Sequence, residues 1–544
     1  MSSKKFVSLV LALGQTLQAA CTPPKTTHAC SARNFKFPEM DGTAPVSIAA
    51  MPTYNYTATS LPPGSISMAP YTITFCNVSV TYTHPGTNDA VNVQVWLPLS
   101  PSFWNGRLQA VGGGGYSASF GSLYMTQAVA NGYIALDTDA GHMRGSDHAQ
   151  SPKEWALESP GKVDMHLVDN WGSTSLHEMA IIGKAVSESY YGTKPKYSYF
   201  TGCSGGGRQA MMIAQKYPAD FDGLLAVAPA INIETFIPAG YWATQVMLDA
   251  GVMAAPCEVE AFTQAAVDAC DALDGVEDGI ISLPALCKFN PHSIVGRDFS
   301  CDGITRQYTK ATATVVQAAW TGPRSADGKL GWFGLNKDAS LTSTYIVTTD
   351  CTSNGTCPLA SANLLSEWMR YFSAMDPNWD ASTMTKDQFL AYLQQSAHDY
   401  SPLLAADNPD LSAFQAARGR LIAWHGLADE VIPPNGTIAY MERVLKVNPK
   451  STKFIRFYEA PGVGHCYGGA GAAPKDAFTQ LVSWVEHGTV PVTLAAVDSA
   501  GRQRELCTFP LQQVYLGGNV SDSASFGCRP RPDEETPASE LLFY

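Results

Sequence analysis

The chain has 544 residues, 45% of them hydrophobic, enough for a large core and at least one further domain. Its formal net charge is −13 and no long basic run offsets it, which argues against nucleic acid and anionic membranes as partners. At the N-terminus Lys4 and Lys5 precede an apolar run, Phe6–Leu13, and small residues follow at Ala19 and Ala20. This predicts a secretory signal peptide over residues 1–20, too short to span a membrane. No later stretch approaches the ~20 apolar residues of a spanning helix. In an exported chain the 13 cysteines are expected as disulfides, with Cys21 at the cleavage point. Close spacing suggests Cys257–Cys270, Cys287–Cys301, Cys351–Cys357 and Cys507–Cys528, with Cys30–Cys76 near the start. Five N-x-S/T sequons, at Asn55, Asn77, Asn354, Asn435 and Asn519, are candidate glycosylation sites.

Residues 22–100 are turn-rich, and alternation over Val91–Leu97 predicts antiparallel strands. A strand pattern at Leu108–Val111 runs into four glycines, Gly112–Gly115, and Gly132–Leu136 reads as the next strand. Such a loop can offer backbone N–H groups, here Gly114 and Gly115, to an oxyanion; a mobile linker is the alternative. An amphipathic helix is predicted from about Ser173, burying Leu176, Met179, Ala180, Ile182 and Val186. An aromatic strand then leads into Gly202-Cys203-Ser204-Gly205-Gly206, and Arg208–Lys216 reads as a helix ending before Pro218. Strand, sharp turn with a central serine, then helix is the setting in which G-x-S-x-G exposes a nucleophile, with the Gly205 N–H as a second oxyanion donor. No Lys-Ser/Thr pair follows the glycines, so a Walker phosphate loop is excluded. Gly223–Ala228 closes a strand–helix alternation that implies a mostly parallel sheet.

From 231 to 415 that rhythm stops. An insertion here is expected to emerge at the functional edge of the sheet and to form a lid domain, the alternative being an excursion remote from the pocket. Its Asp271–Ile280 loop sets Asp271, Asp274 and Asp278 around two glycines. Hard oxygen ligands on a tight loop suit Ca²⁺, although the spacing is not that of an EF-hand; a solvated acidic turn is the alternative, and the flanking Cys270 and Cys287, which would hold the loop rigid, favour a structural Ca²⁺. The cluster Trp368, Arg370, Tyr371 and Phe372 suits an aromatic substrate pocket or a core stripe equally.

The rhythm returns at Arg420–Trp424, a strand pattern leading to His425 and Asp429. A further strand, Lys453–Tyr458, leads to His465 and Cys466, and Ala477–His487 reads as a closing helix. Asp429 is preferred over Glu430 as the acid because of the Pro433-Pro434 turn that follows, and His425 is expected to brace that turn. The order Ser204, Asp429, His465 is that of an α/β-hydrolase fold, built here from residues 21–230 and 416–544 with the lid between them. Cys203 precedes the serine and Cys466 follows the histidine; a bond between them would make Ser204 and His465 neighbours.

These motifs, Gly202–Gly207, His425–Asp429 with Ile432–Pro434, and Gly464–Gly469, together with the Asp271–Ile280 loop, resemble the fungal tannase and feruloyl esterase family from about residue 30 onward. The resemblance implies a Cys203–Cys466 bridge and a Ser204/Asp429/His465 triad. It also implies a Ca²⁺ held by Asp271, Asp274, Asp278 and the carbonyls of Val276 and Ile280. The family includes bacterial hydrolases of terephthalate monoesters, so resemblance fixes the chemistry better than the substrate. Some of its tannases are cut in the lid at basic pairs, and 231–415 has no adjacent Lys/Arg pair, which favours a feruloyl esterase. The expected reaction is hydrolysis of a carboxylic ester through an acyl-enzyme, on a small aromatic or polysaccharide-linked phenolic ester. Galloyl esters are the alternative substrate. A non-catalytic binding protein and a serine peptidase are readings from other classes.

Overall fold

The computed structural model describes residues 29–531 and Leu541, apart from 62, 65–67, 143, 302, 343–345, 348, 352–356 and 360–362. The expected signal peptide, Cys21 and the Asn354 sequon lie outside the described residues.

A nine-stranded sheet carries the site. Its strands in chain order include β1 (Ala44–Ser60), β2 (Ala69–Thr83), β3 (Val91–Pro98), β4 (Arg107–Val111) and β5 (Ile134–Thr138). A short hairpin, β6 (Leu157–Ser159) and β7 (Lys162–Val163), stands apart before the sheet resumes with β8 (Tyr197–Cys203) and β9 (Gly223–Val227). A second separate hairpin, β10 (Asp298–Cys301) and β11 (Ile304–Gln307), precedes the last two members, β12 (Arg420–Gly426) and β13 (Ile455–Ala460). The order across the sheet is β1-β2-β3-β5-β4-β8-β9-β12-β13. β1, β2, β3 and β5 pair antiparallel. From β5 through β4, β8, β9 and β12 to β13 every pairing is parallel.

The pattern follows from which faces are covered. β8 and β12 are buried almost throughout, as parallel strands with helices on both faces must be. One face is covered by α3 (Ser175–Tyr191) and α4 (Gly205–Lys216), whose Met179, Ile182, Met211 and Ile213 pack on Val93, Leu108 and Ile134. The other is covered by α1 (Ser122–Ala130) and helix Ala477–His487 through Met125, Leu481 and Trp484. The predicted helix near Ser173 begins instead as a π-helical turn, Asn170–Thr174, before becoming α3, and its five expected core residues are buried.

Residues 231–415 leave the sheet after β9 and return in the neighbouring parallel strand β12. Helices Ile233–Gly240, Pro256–Cys270, Lys310–Thr321 and Lys386–Leu404 build a core around Phe236, Phe262, Val316 and Phe389. That core is continuous with Tyr116, Trp171, Val431 and Ile432 of the flanking chain. Among the described residues six disulfides are formed, Cys30–Cys76, Cys351–Cys357 and Cys507–Cys528 among them as expected. Two expected pairs are exchanged: Cys257 bonds Cys301 and Cys270 bonds Cys287. Cys257 and Cys270 cap opposite ends of one helix, Pro256–Cys270. At 1.5 Å rise per residue that keeps them roughly 20 Å apart, too far to join. Among the described residues no helix is long and apolar enough to cross a membrane. The sequon residues Asn55 and Asn519 are exposed. Asn77 is half-buried, and Asn435 lies in the first turn of helix Pro434–Val447 with Thr437 of its sequon buried.

Candidate active site

β8 ends at Cys203, and Ser204 takes φ 62° and ψ −122° before α4 begins at Gly205. A positive φ at a residue with a side chain is strained and persists only where its surroundings hold it. Here the Ser204 N–H donates to Val227 O (3.0 Å), and its carbonyl accepts from Ala230 N–H (3.1 Å) and Arg208 N–H (2.9 Å). The glycine loop is packed onto this turn. Gly206 N–H donates to Gly113 O (2.9 Å), and a Cβ on Gly206 would stand 2.8 Å from that oxygen. Gln209 of α4 shapes the loop from below: it accepts from Gly113 N–H (3.1 Å) and donates to Ala118 O (3.2 Å).

The loop's N–H groups are not equivalent. Gly112 donates to Thr201 O and Gly114 to Ser117 O, both at 3.0 Å. Gly114 is therefore not available as an oxyanion donor, because its N–H closes a turn of its own. Among the described residues no protein acceptor takes the Gly115 N–H. Gly115 has φ +52°, and a Cβ there would lie 2.1 Å from Ala149 O. Gly205 faces the same space: a Cβ on it would lie 3.5 Å from Gly115 N. Its own N–H, in the first turn of α4, has no intrahelical acceptor.

Asp429 sits past the end of β12, fully buried. Its Oδ1 accepts from the N–H groups of Val431 and Ile432, both at 2.8 Å. His465 Nδ1 donates to Oδ2 at 2.9 Å and His425 Nε2 to the same oxygen at 3.0 Å. His425 Nδ1 in turn accepts from the Thr437 hydroxyl (2.9 Å). Glu430 does different work, taking the backbone N–H of His465 (3.0 Å). The acid and histidine loops are stitched further by Leu427 N–H to Ala460 O and Ala428 N–H to Val463 O. Cys203 and Cys466 are bonded with Cα atoms 5.9 Å apart, and a ring nitrogen of His465 lies within 4.8 Å of Cys203 Sγ.

Burial pushes the Asp429 carboxyl up, but the His465 charge and the hydrogen bonds from both imidazoles hold it well below the usual carboxylate range. Burial pushes the His465 ring down, and the charge and hydrogen bond of Asp429 outweigh it, raising the ring above its ordinary value. With Nδ1–H committed to Asp429, Nε2 carries a lone pair able to accept a proton from a hydroxyl.

The profile described as tannase and feruloyl esterase matches residues 76–529. The chain belongs to that family. Members are carboxylic ester hydrolases, and so is this protein. It is 42% identical over 478 residues to a protein of Arthroderma benhamiae named probable feruloyl esterase, covering 86% of this chain and 88% of the relative. It is 27% identical over 569 residues to the tannase of Aspergillus oryzae, covering 93% and 94%. The solved tannin acyl hydrolase of Aspergillus niger superposes with a TM-score of 0.81 at 25% identity, covering 92% of this chain and 95% of that one. Its α/β-hydrolase fold is thus the fold of this esterase.

Two further sets of candidate residues have different fates in this esterase. Trp368, Tyr371 and Phe372 are buried, the Trp368 and Phe372 ring centroids lie 4.5 Å apart, and Trp368 Nε1 donates to Ser396 Oγ. Arg370 is paired with Glu367. The four do not line an open aromatic pocket; hydrophobic packing has drawn the rings into the inserted core. They back the glycine loop through Tyr116, next to Gly115, whose ring stacks on both Trp368 and Phe372 and whose hydroxyl donates to Leu364 O (2.8 Å).

In the Asp271–Ile280 loop, Asp271 accepts N–H bonds from Asp278 (3.1 Å), Gly279 (2.9 Å) and Ile280 (3.3 Å), and Asp274 accepts from Val276 (2.9 Å). Asp278 Oδ1 is buried without a donor among the described residues, and Arg504 stays 3.9 Å from Oδ2. Burial raises both Asp274 and Asp278, and repulsion among the three acids adds to it. An orphaned, buried carboxylate oxygen among acids raised in this way fits a hard divalent cation.

Sequence reasoning missed Gln209 and Arg208. Arg208 is wholly buried and donates to the carbonyls of Trp171 (3.0 Å) and Gly172 (2.9 Å), and burial pushes its guanidinium down to about 10. Both lie in the helix directly after G-x-S-x-G, and long polar residues there were the available signal.

Proposed function

We propose that this protein is a secreted serine esterase that hydrolyses phenolic esters, foremost hydroxycinnamoyl esters such as the ferulate esters of plant cell-wall material, through an acyl-enzyme. The observation that carries the mechanism is the Cys203–Cys466 bond, which ties the strained Ser204 turn to the loop of an Asp429-held imidazole. His465 Nε2 takes the Ser204 hydroxyl proton as Oγ attacks the ester carbonyl. The N–H groups of Gly205 and Gly115 receive the oxyanion. His465 then protonates the departing alcohol, and water releases the acid by the same route. Asp429 holds the ring's tautomer and stabilises its cationic form. Residues 231–415 act as the lid, seated on the glycine loop through Tyr116 and on the acid loop through Val431 and Ile432. Asp271, Asp274, Asp278 and the carbonyls of Val276 and Ile280 would hold a structural Ca²⁺ that supplies no chemistry to the reaction. The six disulfides among the described residues suit export.

The feruloyl assignment rests on the Arthroderma relative, and the likeness to the Aspergillus niger tannin acyl hydrolase supports a second reading, galloyl esters. Turnover of methyl ferulate and methyl gallate separates them: preference for ferulate is expected, and preference for gallate reverses the assignment. Ser204→Ala is expected to lower kcat by at least ~10⁴-fold on either ester. Retained turnover would dismiss the acyl-enzyme.

A further inference from the structure

A second convergence of imidazole and carboxylate lies outside the Ser204 site. His84 follows β2, Asp89 precedes β3, and His166 lies on α2 (Met165–Asp169). Asp89 Oδ1 is saturated by the turn itself, accepting from the hydroxyls of Thr83 (2.9 Å) and Thr87 (2.8 Å) and from His84 N–H (2.9 Å). Its Oδ2 faces three nitrogens: His84 Nδ1 at 2.6 Å, Asn170 Nδ2 at 2.9 Å and His166 Nε2 at 3.0 Å. Two imidazole nitrogens and an amide N–H thus converge on one carboxylate oxygen. Asn170 Nδ2 is also 3.4 Å from His166 Nε2, and the fully buried Asn170 leaves Oδ1 with no partner among the described residues.

The same atoms are well placed for a cation. His84 Nδ1, Asp89 Oδ2 and His166 Nε2 lie within 4.8 Å of one another, and two imidazoles with a carboxylate are a donor set that first-row divalent metals take and Ca²⁺ does not. Behind His84, Nε2 donates to Glu178 Oε1 (2.9 Å), whose other oxygen accepts from Tyr82 OH (2.5 Å). A carboxylate holding the remote ring nitrogen is what fixes the tautomer and orientation of a metal-bound histidine. The His84, Asp89 and Glu178 side chains are nearly buried, while His166 is 32% exposed and gives an entry path. Among the described residues a second close His/Cys group, Cys203, His465 and Cys466, offers no thiolate, because its cysteines are bonded to each other.

We propose that His84, Asp89 and His166 form a site for a first-row divalent cation, Zn²⁺ foremost, with Glu178 as the orienting residue behind His84. Three protein ligands leave a fourth position for water. The bound ion would pin the β2–β3 turn to α2, just before the π-helical turn whose carbonyls receive Arg208.

The experiment is calorimetric titration of the chelator-stripped full-length protein with Zn²⁺ in excess Ca²⁺, repeated with Co²⁺ and visible absorption. A single equivalent is expected to bind, with the Co²⁺ form showing the intense ligand-field bands of a low-coordinate N/O site. His166→Ala should abolish the binding while leaving metal-free Tm and ester turnover near wild type. Glu178→Gln should weaken it about 10–100-fold. A wild-type protein that takes up no stoichiometric Zn²⁺, or whose binding His166→Ala does not change, overturns the proposal.

Discussion

Asp429 serves two imidazoles, and only His465 belongs to the loop clasped by the Cys203–Cys466 bond. His425 is the other donor to Asp429 Oδ2, itself held by Thr437. A hydrogen bond to a charged group contributes about 1.5–3 kcal/mol. His425→Phe is therefore expected to lower kcat roughly 10–100-fold with KM little changed. An Asp429 with one donor fewer is more basic and pulls harder on the His465 proton. The acid limb of the pH profile of kcat/KM should then move to higher pH. In the wild type that limb is itself expected above the ordinary imidazole value near 6.5, because Asp429 raises His465 and only the neutral ring can accept the serine proton. A His425→Phe profile shifted toward acid, or a rate unchanged, would refute the positioning role.

At the scale of elements, α4 carries the strain of Ser204, and Arg208 fastens it. Its guanidinium donates to carbonyls of the Asn170–Thr174 turn, and the ring of Trp171 lies 5.3 Å away. Arg208→Met removes two charge-assisted hydrogen bonds to buried carbonyls, each contributing about 1.5–3 kcal/mol. The expected loss is roughly 2–5 kcal/mol, read as a lower urea midpoint at constant m. Turnover of the remaining folded protein should also fall, because the turn at Ser204 is loosened. The strands and helices that frame this unit were legible in the sequence, since β8, β9 and β12 are short apolar runs closed by turn residues, and Ala477–His487 has a plain helical period. Arg208's task was not legible, because it is defined by carbonyls at 171 and 172, and carbonyls leave no mark in a sequence. The same reason hid the split within the glycine loop, where Ser117 engages Gly114 and leaves Gly115 open. The exchanged disulfides of Cys257 and Cys270 needed the length of their helix, and spacing alone pointed the wrong way. Trp368 and Phe372 carry the same composition whether they line a pocket or fill a core; only packing against Tyr116 decides it.

Across the whole molecule, two devices hold distant parts of the chain in register. The Cys203–Cys466 bond spans 263 residues and encloses the entire insertion. Replacing both cysteines with serine is expected to remove about 2–5 kcal/mol of stability. The loss of kcat in the protein that stays folded should be larger than that of a distal bond such as Cys507–Cys528, because small misplacements of a base reduce rate steeply. The acidic loop is the second device, packed beside Arg502 and Arg504 at the start of the strand Gln503–Cys507. Without a cation, Asp274 and Asp278 are raised in the folded state, so the native protein binds more protons there than the unfolded chain. Their contribution to stability is then lost as pH rises through the folded values, above the ordinary carboxylate range near 4. A Ca²⁺ bound there would reverse that sign by favouring the charged forms. The Ca²⁺-induced rise in Tm of the chelator-stripped protein should therefore be small near pH 4 and grow toward pH 7, and Asp278→Asn should flatten it. Turnover measured well below Tm should change little on chelation. A Ca²⁺ effect on Tm independent of pH, or one that survives Asp278→Asn, would separate the ion from this loop.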